Sequence, residues 1–78
     1  MEQNYLWCYS RKPRKGLLDD DFYFYSDGRI LRVYDRTINK LNLEEWVTKD
    51  FFLKEEIADI IKRCPNEYKN HTKNVLLF

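Results

Sequence analysis

The run Asp21 to Asp35, Asp-Phe-Tyr-Phe-Tyr-Ser-Asp-Gly-Arg-Ile-Leu-Arg-Val-Tyr-Asp, limits what this chain can fold into more than any other stretch. Aromatic and β-branched runs flank Asp27-Gly28, and such a pair supplies the two positive φ angles of a type I′ turn, whose twist matches the strands it joins. A two-residue loop there pairs Ser26 with Arg29, Tyr25 with Ile30, Phe24 with Leu31, Tyr23 with Arg32 and Phe22 with Val33. Side chains alternate across a strand, so this register predicts a core face of Phe22, Phe24, Leu31 and Val33. Tyr23, Tyr25, Ile30, Arg32 and Tyr34 then share the opposite, amphipathic face, since tyrosine combines a flat apolar body with a polar tip. A slip of one residue exchanges the two faces and would place Phe22 and Phe24 in water.

The hairpin needs partners. Tyr5 to Ser10 reads as a first strand, with Tyr5, Trp7 and Tyr9 on one side and Leu6 and Cys8 on the other. Either set can be the buried one. Burying Trp7 is the commoner arrangement; burying Leu6 and Cys8 instead would extend the tyrosine face with Tyr5, Trp7 and Tyr9. After the hairpin, Asn42-Leu43-Glu44-Glu45 carries a capping-box pattern and predicts a short helix that sends Trp46 and Val47 under the sheet. A second helix is expected over about Phe51 to Arg63, capped by Asp50. Leu53, Ile57, Ile60, Ile61 and Cys64 recur there at helical spacing, and Cys64-Pro65 ends it. The tail from Asn66 to Phe78 suits either a helix or a short edge strand, and its four final apolar residues should dock on the body or a partner.

These elements predict an α+β fold in which residues 1–78 form one domain: a small antiparallel sheet of about three strands on the central hairpin (22–34), packed on one face by a short helix and a longer C-terminal helix. At 78 residues the core is near the lower practical size for unaided folding, and 17% aromatic residues mean few, large side chains must build it. The net charge of +1 supplies no whole-molecule field towards nucleic acid or an anionic membrane. No apolar run approaches a membrane span. Met1-Glu2-Gln3-Asn4 lacks the basic and apolar regions of a secretory signal, which predicts a cytoplasmic chain with Cys8 and Cys64 as reduced thiols.

Catalytic and metal signals are thin. Cys8, Cys64, Ser10 and Ser26 are the available nucleophiles, and nothing in the sequence holds the lone His71 against any of them. Without a Cys-x-x-Cys pair, a metal site is not expected. Two glycines cannot build a phosphate loop. The expectation is therefore no enzyme, no cofactor and no metal.

Binding is the remaining class. The first reading is a protein-interaction module whose Tyr23, Tyr25, Arg32 and Tyr34 face, with Trp7, meets another protein; an open sheet edge could also pair two copies into a homodimer. The alternative is single-stranded nucleic-acid binding, with bases stacked on sheet tyrosines and Arg11, Lys12, Arg14 and Lys15 holding phosphates. The bland account of that basic loop is a solvated turn balanced by Asp19, Asp20 and Asp21. In style the chain, short, aromatic-rich and without catalytic signals, is similar to small accessory proteins of bacteria or phages, including inhibitors that cover a partner protein's surface.

Overall fold

A computed structural model describes residues 4–11, 20–37 and 39–78. Four strands come first: β1 (Trp7–Ser10), β2 (Asp20–Phe24), β3 (Ile30–Tyr34) and β4 (Leu43–Val47). Two helices follow, α1 (Lys54–Arg63) and α2 (Lys69–Leu77), each preceded by a short 3-10 turn, at Lys49–Phe51 and Asn66–Tyr68. The strands form one antiparallel sheet in the order β1-β2-β3-β4. The α+β class is as the sequence predicts, with four strands in place of about three. No described helix is long and apolar enough to cross a membrane.

The hairpin departs from its expected register by one residue. Gly28 has φ +91°, but Asp27 is not in the positive-φ region, so the two-residue type I′ loop does not form. Instead the Gly28 N–H donates to the Tyr25 carbonyl at 3.1 Å, and the Tyr25 N–H donates to the Arg29 carbonyl at 3.0 Å. The loop is thus Ser26-Asp27-Gly28, with the glycine in the left-handed position that ends a three-residue hairpin connection. Phe24 pairs with Ile30, Tyr23 with Leu31, Phe22 with Arg32 and Asp21 with Val33. Only β3 has turned over relative to expectation. Phe22 and Phe24 remain in the core with Ile30, while Leu31 and Val33 join Tyr23 on the other side.

The expected first helix is a strand. As a helix cap Asn42 would need extended backbone, but it has φ +55°, and its N–H donates to Asp35 Oδ1 at 2.8 Å. That corner turns the chain back along β3, where Leu43, Glu44, Glu45, Trp46 and Val47 pair with Tyr34, Val33, Arg32, Leu31 and Ile30. Cross-strand pairing outweighs the local capping signal, and Trp46 points away from the helices.

Both helices cover the other face. Trp7 and Tyr9 of β1 turn inward and join Phe22, Phe24, Ile30, Phe52, Ile60, Cys64 and Leu76 in one core cluster, against which Ile57, Ile61, Tyr68 and Val75 pack. Trp7 lies flat on Phe24 with ring centroids 4.9 Å apart, and Phe52 meets Phe22 edge-on at 4.8 Å. The buried polar groups answer one another: the Trp7 indole N–H donates to Thr72 Oγ1 at 3.0 Å, with Cys64 Sγ 3.3 Å from the same oxygen. The tail is helix, with Thr72 and Leu76 buried. α1 starts at Lys54 rather than near Phe51, because Asp50 lies inside the 3-10 turn instead of capping. The Glu56 carboxylate accepts the Leu53 N–H at 3.2 Å, and the Leu53 side chain, expected in the apolar stripe, is 66% exposed.

Candidate functional site

Alternation along four paired strands sets out the second face of the sheet in rows. Cys8, Tyr23, Leu31 and Trp46 stand side by side across the sheet, and the next row holds Ser10, Asp21, Val33 and Glu44. Among the described residues no helix lies over these rows, since the helix side chains that enter the core meet Trp7, Tyr9, Phe22, Phe24 and Ile30 from the opposite side. Trp46 is 50% exposed at the end of the apolar row. Leu31, between Tyr23 and Trp46, is buried.

Aromatic pairs brace this surface. Tyr5 sits edge-on to Tyr23 with centroids 4.7 Å apart, and Tyr25 packs against Trp46 at 5.7 Å. The Arg29 guanidinium lies 4.5 Å over the Trp46 ring and is anchored by Asp27 Oδ2 at 2.6 Å. The backbone N–H of Arg29, assisted by its side chain, holds the Asp27 carboxyl below its ordinary range. Burial, with the neighbouring Cys8 and Asp21, pushes the Tyr23 phenol up to about 12. Burial and the Asp21 charge likewise raise the Cys8 thiol, so this cysteine is not an activated nucleophile. The face is aromatic at the hairpin end and acidic one row further on.

The five residues singled out from the sequence do not share a face. Tyr23 lies on this second face, called open because no described helix covers it, where Tyr25 also points but is buried beside Trp46 and Arg29. Trp7 is core, the commoner of the two arrangements weighed for β1. Arg32 and Tyr34, displaced by the register change, stand on the helix side. There Arg32 donates to Asp20 Oδ1 at 2.8 Å and Glu45 Oε1 at 2.9 Å, and its guanidinium stacks 3.8 Å over Tyr34. Burial alone would lower the Arg32 pKa, but hydrogen bonds to Asp20 and Glu45 outweigh it and hold the group above its ordinary value.

Of the basic loop, Lys12, Arg14 and Lys15 lie outside the described residues. Arg11 is tied to Asp20 at 3.2 Å and Glu56 at 2.6 Å, and both Arg11 and Arg32 lean on the Phe51 ring. These two arginines therefore close the end of the helix-covered face. Residues missed by sequence reasoning are Trp46 and Leu31. The β-propensity of Trp46-Val47 was the signal for Trp46, masked by the capping pattern before it.

Chemically, the open face can present rings, one arginine and carboxylates. The described residues contain no cluster of three His, Cys, Asp or Glu side chains placed to hold a metal ion. His71 uses Nε2 on the Tyr25 carbonyl oxygen at 2.9 Å, and Cys64 is engaged with Thr72. Comparison with known protein families, with curated proteins and with solved structures returns no match.

Proposed function

We propose that this chain is a non-enzymatic binding module that docks another protein on the open face of its sheet. The observation that carries the reading is the half-exposed Trp46 at the end of an apolar row that no described helix covers. Tryptophan, tyrosine and arginine dominate binding energy at protein interfaces, and Trp46, Tyr5, Tyr23 and Arg29 bring these types together. The neighbouring Asp21 and Glu44 favour a partner whose apolar side chains are flanked by lysine or arginine. Covering a partner's surface, as an inhibitor does, asks no chemistry of the chain.

The same carboxylates support protein over single-stranded nucleic acid. Phosphates laid along the aromatic row would meet Asp21 and Glu44, while Arg11 and Arg32 are already committed to Asp20, Glu45 and Glu56. The test is capture from nuclease-treated lysate with the wild-type chain, with Tyr23→Ala/Trp46→Ala, and with Leu53→Asp on the opposite side of the molecule. A stoichiometric protein retained by wild type and Leu53→Asp but lost by the double variant, with all three folded, is the expected outcome. Capture that the double variant leaves intact, or that disappears on nuclease treatment, overturns the reading.

A further inference from the structure

Where the hairpin end of the sheet meets the last turn of α2, the surface sinks into a pocket of about 420 Å³. That lies within the roughly 300–1,000 Å³ range of small-ligand sites. Its walls are apolar, from Ile30, Trp46, Val47, Val75 and Phe78, and the cations Arg29 and Lys49 also line it. Gly28 and Thr48 complete the lining, and a methyl group at Gly28 would stand 3.9 Å from Val75 Cγ2. The two cations are not equivalent. Arg29 is anchored by Asp27 and lies over Trp46, whereas among the described residues the Lys49 ammonium has no carboxylate partner.

We infer that this pocket binds a small organic acid with an apolar body, its carboxylate at Lys49 and its body against Trp46, Val47 and Val75. One uncommitted cation beside an apolar recess matches a monoanion. Burying the apolar body supplies the favourable area, and the carboxylate gains a charge-assisted hydrogen bond that a neutral analogue cannot make. The inference does not depend on the open face docking a protein.

The test uses the full chain, ¹⁵N-labelled, titrated with 4-phenylbutyrate and separately with 4-phenylbutanol. Saturable shifts should cluster at Gly28, Arg29, Val47, Lys49 and Val75, with the alcohol weaker by about tenfold, the loss of one charge-assisted contact. Lys49→Glu should weaken the acid at least as much, and Val75→Trp, which fills the recess, should abolish binding. An unchanged Trp7 indole N–H signal, held by Thr72, verifies that each variant is folded. Equal affinity for acid and alcohol, shifts centred on Cys8 and Tyr23, indifference to Lys49→Glu in the folded variant, or no saturable shifts would each overturn the assignment.

Discussion

Trp7 and Trp46 stand on opposite faces of one four-stranded sheet, 7% and 50% exposed. Trp7 stacks on Phe24, donates its indole proton to Thr72 and is roofed by the helices. Trp46 has Tyr25 and Arg29 against it and no described helix above. The difference separates two uses of the same residue type. On the helix side, burial of large rings supplies the stability that so short a chain needs. On the other side, an equally large ring is left half exposed, with no described helix above it.

Truncation separates the faces most sharply at Phe22, which is fully buried against Phe51 and Phe52. Phe22→Ala should cost about 3–5 kcal/mol in urea unfolding, enough to unfold much of a marginal domain. Thr72→Val is next. It keeps the shape but leaves the Trp7 N–H without its acceptor, and should cost about 1–3 kcal/mol. A result near zero would mean that this buried polar contact is not formed in solution.

Alkaline pH probes one tyrosine on each face. Burial and the hydrogen bond to Asp59 push the Tyr9 phenol up to about 12, and burial does the same to Tyr23. Both folded values lie above the ordinary value of 10.0, so the stability from the neutral phenols is complete below pH 10 and is lost as pH rises through about 12. Tyr9→Phe and Tyr23→Phe should each flatten part of that decline in denaturation midpoints measured from pH 9 to 12. An unaltered decline in both would contradict the shifts.

Gly28→Ala should cost about 1 kcal/mol, through its positive φ and not through a clash, because the added methyl meets only an ordinary contact with Val75. The smallest effect belongs to the open face: Trp46→Ala should change stability by about 1 kcal/mol or less. A loss matching that of Phe22→Ala would break the comparison between the two sides.

How much of this was legible depended on whether local pattern and long-range pairing agreed. Phe22, Phe24, Ile57, Ile60, Ile61 and Cys64 follow strand or helix periodicity, and their packing follows from it. The β3 face was not legible because Asp27-Gly28 can form a two-residue loop or end a three-residue one. That single residue decides whether Ile30 or Leu31 enters the core. Glu44 and Glu45 read as helix-start residues, since nothing local reveals that Arg32 would sit opposite Glu45. The three-residue loop also places Arg32 and Tyr34 on the helix side, and the pairing of β4 with β3 places Trp46 on the other face beside Leu31.

Acrylamide quenching of the two tryptophans tests the division between the faces most directly. Trp46→Phe leaves Trp7 as the sole reporter, and Trp7→Phe leaves Trp46. The account predicts that Trp46 in the free protein is quenched several-fold more strongly than Trp7, and becomes protected once a captured partner is bound. Equal protection of both tryptophans in the free protein would show that the second face is already covered, and would contradict the claim that it is the binding face.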